Sequence, residues 1–261
     1  MERKTALITG ASSGLGYEFA HIYAQYGYDI VVVARSEGKL YQLKAELESR
    51  YHMKVWVFAQ DLSKPDAAYE IFDFTMENNI DIEILVNNAG FGDYGNFTEF
   101  DMQKQHELLQ VNIMALVELT RYFLPLMLRR KSGRVINLSS VAAFCAGPKM
   151  SLYYASKAFV RSFSEAVAEE IRGSGVSVLA LCPGPTATGF EKAADMKGSK
   201  MFRFIKPKTA KEVAQAGYRA SCKGKTLKLW YNRKSNEYWS QTTSKDSIKN
   251  VCKDDKWIKY N

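Results

Sequence analysis

Residues 4–20 read KTALITGASSGLGYEFA, and the reading of this stretch decides the fold. KTALITG (4–10) is short and apolar without alternation, as befits a strand buried on both faces. GLGYEFAHIYAQYG (14–27) spaces its apolar residues as one face of a helix does, with Gly27 as its stop. TGASSGLG (9–16) joins the two, so Gly10, Gly14 and Gly16 leave the strand and open the helix.

The same alternation continues along the chain. DIVVVAR (29–35), KVWVFAQD (54–61), IEILVNNAG (82–90), RVINLSS (134–140) and VSVLALCPG (176–184) read as strands. Helical segments lie between them: EGKLYQLKAELESR (37–50), with Ser36 placed to cap it, then stretches near 65–79, 99–131 and 151–172. KTLKLWY (225–231) fits a seventh strand. Unalternated strands joined by helices predict an α/β fold, a doubly wound parallel sheet of about seven strands with helices on both faces. The 261 residues suffice for one large domain of this kind, expected over 1–231.

Composition narrows the function. No long apolar run follows the basic start, and no stretch of about 18 apolar residues occurs, so neither a signal peptide nor a membrane span is expected. Four scattered cysteines without a CxxC fit reduced thiols in a cytoplasmic protein, and three widely spaced histidines predict no metal site. The formal charge is +8, yet residues 221–261 hold ten Lys and Arg against four Asp and Glu. The rest is nearly neutral, so no nucleic-acid partner is expected of the fold itself. Beyond Leu229 there is no Leu, Ala, Met, Phe, Gly or Pro, and residues 232–261 read as an atypical basic tail, hydrated and without catalytic residues.

Chemistry enters at three places. Glycines at the first strand-to-helix turn let the backbone approach a pyrophosphate, which the free N–H groups of the helix N-terminus attract. Ser12, Ser13 and Leu15 belong to that loop. At the end of the second strand, where an acid would grip the ribose hydroxyls of NAD, the chain has Ala34 and Arg35. A guanidinium suits a 2′-phosphate; the plain alternative is a surface arginine. LYYASKAF (152–159) sets Tyr153 four residues before Lys157 and Tyr154 three before it. On a helix the first pair is offset by about 40° and the second by about 60°, so geometry prefers Tyr153 only slightly.

TGxxxGxG (9–16), NNAG (87–90), Asn112 in QVNIMA, LPLM…GRVINLSS (124–140), YxxxK (153–157) and PGPTAT (183–188), in this order, resemble the short-chain dehydrogenase/reductase family. The resemblance covers residues 4 to about 231 and implies a Rossmann-type fold, an NADP(H) cofactor and hydride transfer to or from a small carbonyl or alcohol. It implies Tyr153 as the acid–base, Ser140 as the group that binds the same oxygen, and Lys157 as holder of the nicotinamide ribose. Asn112 resembles the residue that fixes a water in a proton relay. Asp61 and Leu62 resemble the pair beside the adenine; Asn88, Ala89 and Gly90 resemble the strand end that lets the cofactor pass. Thr188 matches the threonine that meets the carboxamide, and Pro183, Gly184 and Thr186 just before it match further cofactor contacts, Thr186 through its main chain. The resemblance further implies a homodimer or homotetramer pairing long helices that bear Leu116, Leu119, Phe123, Phe159, Phe163 and Val167, and a substrate lid over about 189–208. Phe91, Tyr94, Phe144 and Met150 are expected in an apolar substrate pocket. The rival readings are the same chemistry with NAD(H) and a cofactor-binding redox sensor without turnover.

Overall fold

A computed structural model describes residues 4–189 and 207–230. Most of the expected lid and all of the tail from 232 lie outside the described residues.

Seven strands form one parallel sheet: β1 Thr5–Thr9, β2 Asp29–Ala34, β3 Val55–Ala59, β4 Ile82–Asn87, β5 Gly133–Leu138, β6 Val176–Pro183 and, after a two-residue pair, β9 Leu227–Trp230. Their spatial order is β3-β2-β1-β4-β5-β6-β9. The order reverses between β1 and β4, so a crevice opens above their C-terminal ends. The small pair, β7 Thr186–Ala187 and β8 Lys208–Thr209, lies beyond the C-terminal end of β6.

Strand side chains alternate between two cores. Ala6, Ile8, Ile30 and Val32 face α1 (Gly14–Gln25), α2 (Glu37–Tyr51) and α7 (Ala210–Cys222) through Phe19, Tyr23, Leu40, Leu43, Leu47 and Val213. Leu7, Val31, Val33 and Leu85 face α3 (Ala67–Glu77) and α5 (Ala115–Arg129) through Ile71, Leu119, Phe123 and Met127. α6, Ser151–Glu170, packs on the same side through Ala168. The chain buries apolar residues on both faces of every central strand, which is why its strands carry no polar alternation.

Several local expectations change. The helix near 99–131 is composite: a 3₁₀ turn at Phe97–Glu99, α4 at Met102–Leu109 capped by Asp101, a π-turn at Gln110–Met114, then α5. By length and composition, Met102–Arg129 is long and apolar enough to cross a membrane. Its α5 half supplies Leu119, Phe123 and Met127 to the core, which accounts for that apolarity within the fold. Leu116, Leu119 and Phe123 are therefore packed inside one chain rather than presented to a second copy, while Phe159 is exposed and stacks on Phe163 at 6.0 Å. Ser36 stands at the N-cap of α2, but its side chain makes no cap hydrogen bond.

α7 reaches the sheet through Gly217, where a Cβ would lie 2.7 Å from Leu181 Cδ2 and 3.0 Å from Phe19 Cζ. Gly217→Val should lower the unfolding free energy by about 1–3 kcal/mol through overpacking. Gly38→Ala, within α2 with open space around it, should be neutral or stabilising by up to about 1 kcal/mol. Urea titrations of both variants check this, and equal effects would mean that the α7 contact is loose.

Candidate active site

The cleft above the strand ends is built from the glycine turn outward. Thr9 closes β1: its Oγ accepts N–H bonds from Asn88 and Ala89 at 3.0 Å and donates to the carbonyl of Val86 at 3.3 Å. Asn88 Nδ2 returns across the gap to the carbonyls of Thr9 (2.9 Å) and Gly10 (3.2 Å). This knot leaves no room for a side chain at Gly10 or Gly16. A Cβ on Gly16 would lie 2.3 Å from the Gly10 carbonyl oxygen, and Gly10 and Gly14 both adopt positive φ. Gly10, Ser12, Ser13, Gly14 and Leu15 thereby line the cleft at the N-terminus of α1.

At the other end, Ser139 and Ser140 divide their work. Ser139 is buried and donates to the carbonyl of Lys157 at 2.8 Å, tying β5 to α6. Ser140 accepts the Ala142 N–H at 3.1 Å and hydrogen-bonds Tyr153. Lys157, 6% exposed, points Nζ to the carbonyl of Leu138 at 2.8 Å and lies 5.8 Å from the Tyr153 ring centroid. Gly90 faces this group, since a Cβ there would lie 3.3 Å from Lys157 Nζ and 3.0 Å from Asn112 Oδ1.

Burial dominates the electrostatics. Desolvation pushes the Tyr153 phenol up to about 12, and the hydrogen bond from Ser140 opposes it. The serine is therefore the neighbouring group that eases ionisation. Desolvation also pulls the Lys157 ammonium down to about 8. The buried Cys182 thiol nearby is raised to about 11.

One continuous cleft of about 430 Å³ gathers nearly every residue expected from the sequence. Gly10, Ser12, Ser13, Gly14, Leu15, Arg35, Asp61, Leu62, Asn88, Ala89 and Gly90 line it towards the glycine turn and the ends of β2 and β3. Ser140, Tyr153, Lys157, Pro183, Gly184, Thr186 and Thr188 line it above β5 and β6. Gly16 and Asn112 stand behind the wall. The Asn112 side chain is engaged: Oδ1 accepts the Phe91 N–H at 3.0 Å, and Nδ2 donates to the Phe91 carbonyl (2.9 Å) and to Ser156 Oγ (3.1 Å). Asp61 also caps its own turn, accepting from the N–H and hydroxyl of Ser63. Phe91 and Met150 line the cleft as expected; Tyr94 and Phe144 do not, for Phe144 is covered by the Arg161 guanidinium at 4.4 Å. Sequence reasoning missed Ser36, Gln60, Ser63, Glu107 and Val111. Ser36 was legible as the polar neighbour of Arg35; Glu107 and Val111 arrive only through the composite helix.

A family model described as short chain dehydrogenase matches residues 4–198. The chain belongs to the short-chain dehydrogenase family. An uncharacterized oxidoreductase of Bacillus subtilis, YvrD, is 35% identical over 211 residues, 79% of either chain. The very-long-chain 3-oxoacyl-CoA reductase of Pyrenophora tritici-repentis is 37% identical over 178 residues, 66% of this chain but 52% of that reductase. Among solved structures, a short-chain dehydrogenase from Sphingobium yanoikuyae in complex with NADPH superposes with a TM-score of 0.81 at 28% identity over 95% of each chain. A structure of a 7β-hydroxysteroid dehydrogenase gives 0.83 at 25% identity over the same share. The protein is thus an oxidoreductase of short-chain dehydrogenase type.

The depressed Lys157 value has a consequence for stability. A lysine titrates at 10.5 in the unfolded chain and here at about 8 in the fold. Between these values the unfolded chain binds the extra proton, so stability from this group rises with pH from 8 to 10.5 and is lowest below 8. Measured against Lys157→Met, which has no such proton, the wild-type protein should gain about 1–3 kcal/mol across that window. Denaturant unfolding of both proteins from pH 7 to 10.5 checks this. A constant difference would mean that the ammonium is hydrated in the fold.

Proposed function

We propose that the protein is an NADP(H)-dependent oxidoreductase that interconverts a ketone and a secondary alcohol. The observation that carries the reaction type is the convergence of Ser140, Tyr153 and Lys157 on one point of the cleft. Cofactor choice is supported by Arg35, which lines the far end of the same cleft beside Ser36, with Ala34 and no carboxylate at the end of β2. The NADPH in the Sphingobium yanoikuyae relative agrees with this reading.

The residues fit a dinucleotide. The turn at Gly10–Gly16, with glycine at 10, 14 and 16, would offer backbone and helix N–H groups to a pyrophosphate, and Arg35 would offer a bidentate cation to a 2′-phosphate. Asp61 and Leu62 flank the adenine end, and Lys157, with Gly90 opposite, serves the nicotinamide ribose. When bound, the nicotinamide supplies or accepts the hydride. The protein handles the proton and the oxygen. Ser140, oriented by the Ala142 N–H, hydrogen-bonds the substrate oxygen. Tyr153, protonated at neutral pH, donates its phenolic proton to that oxygen in the reductive direction. In the oxidative direction it must first ionise, which the Ser140 hydroxyl favours and a bound nicotinamide cation would favour further. Asn112 acts from behind, fixing the backbone of Phe91, and a water-holding role would fall to its main chain because its amide is engaged. A homo-oligomer joined through the exposed Phe159 and its stacked neighbour Phe163 is consistent with the exterior of α6.

A panel of ketones and alcohols assayed with NADPH and with NADH tests the reading. Arg35→Ala should weaken NADPH by about ten- to a hundredfold and NADH little, because one charge-assisted contact is lost; equal losses would return Arg35 to a surface role. Tyr153→Phe should abolish turnover with NADPH binding retained, and Tyr154→Phe should be far milder. The reverse order would place the acid–base on the other tyrosine.

A further inference from the structure

The second tyrosine stands on the wall beside the reacting point. Ser140 opens a 3₁₀ turn, Val141–Phe144, and the loop that follows returns to α6 at Ser151. Ala142, Met150 and Tyr154 form one buried apolar cluster there, with Tyr153 packed against it. All four residues line the cleft. The rings of Tyr153 and Tyr154 meet edge to face at 6.0 Å and 76°.

Gly147 decides where the Tyr154 ring sits. A Cβ on Gly147 would lie 2.3 Å from Cγ and Cδ2 and 2.4 Å from Cε2 of that ring. Gly147 has no positive φ, so the glycine is required by space and not by conformation. The loop is anchored on both sides of this contact: Met150 N–H donates to the Gly147 carbonyl (3.1 Å), and Tyr154 N–H donates to the Met150 carbonyl (3.0 Å). The ring is therefore packed between the cleft, which it lines, and the loop backbone at Gly147, which does not line it. Nearby charges are turned to other partners. Lys149 Nζ sits over the Tyr94 ring at 5.2 Å, and Asp93 is held by Lys104 and Gln105.

We propose that the Gly147–Tyr154 pair sets the size of the group accepted beside the reacting carbonyl, and that the preferred substrates are uncharged ketones carrying a flat apolar group on that side. The inference rests on the ketone reductase reading and deepens it. Apolar surface on Ala142, Met150 and the Tyr154 face favours such a group by burial, while an ionised group would lose its hydration against it. A methyl group on Gly147 has no space unless the ring moves forward, and a ring moved forward occupies the volume that the flat group needs.

The test compares a small ketone, butanone, with a bulky one, propiophenone, both with NADPH. Gly147→Ala should cut kcat/KM for propiophenone by about tenfold or more and leave butanone within about twofold. Tyr154→Leu should shift the ratio the other way, and the double variant Gly147→Ala/Tyr154→Leu should recover propiophenone reduction, since no ring remains to be displaced. NADPH affinity, read by fluorescence titration, should be unchanged throughout. A wild-type enzyme that reduces neither ketone overturns the reaction reading and the inference with it. Reduction of both, with Gly147→Ala lowering them by the same factor or the double variant failing to recover, leaves the reaction standing and overturns the role of the pair. If Gly147→Ala does not fold, an unchanged substrate ratio in Tyr154→Leu overturns it equally.

Discussion

The Thr9–Asn88 knot is the constraint on which the cleft depends. Two parallel strands, β1 and β4, end side by side where the sheet order reverses, and their chains then diverge to opposite sides. Divergence leaves backbone groups at both ends without ladder partners. Thr9 Oγ and Asn88 Nδ2 satisfy five of these groups among themselves. The contact also draws Gly10 and Gly16 so close that only glycine fits. A bare backbone facing the cleft is thus a by-product of finishing the sheet's hydrogen bonds, and an anion site follows from it.

A second buried network carries this order to the catalytic end. Asn87, next to Asn88, donates to Asn137 Oδ1 (2.9 Å) and Thr120 Oγ (3.1 Å), and Asn137 donates to Ser164 Oγ (2.9 Å). β4, β5, α5 and α6 are locked together by polar groups that cannot slip as apolar contacts can. Ser164 lies seven residues after Lys157, two turns further along the same face of α6. The register of α6 on β5 is therefore specified beneath the site, and the Ser139 bond to the Lys157 carbonyl repeats that specification at its rim. Tyr153 and Ser140 meet because two elements are pinned twice.

The fold was largely legible because parallel strands buried on both faces write themselves as unbroken apolar runs, and six of the seven stood out this way. The site was legible where chemistry fixes the residue type: glycines forced by contact, and a tyrosine and lysine that the proposed proton transfer requires. It was not legible where position depends on tertiary geometry. Asn112 could be assigned to a π-turn only once α4 and α5 were seen as separate helices, and its amide turned out to serve Phe91. Phe144 looked like a pocket residue by its place after β5, but a short 3₁₀ turn rotates it onto Arg161. Leu116, Leu119 and Phe123 looked available for an interface because periodicity shows that a helix has an apolar face, not what that face meets.

The two adjacent tyrosines show the same division most sharply. Along a helix they differ by about 100° of rotation and by nothing in chemistry. Tyr153 is turned to Ser140, whose hydroxyl hydrogen-bonds its phenol, and its ring lies 5.8 Å from Lys157 Nζ. Tyr154 is turned to Ala142, Met150 and the backbone of Gly147, so what matters about it is the volume of its ring. A phenol becomes an acid or a wall according to what the facing loop places opposite it. The loop from Ser140 to Met150 does both at once: its first residue orients the proton, and its glycine sets the wall. On the proposed reading, chemistry and selectivity share one short segment, and the residue that separates them is the one with no side chain.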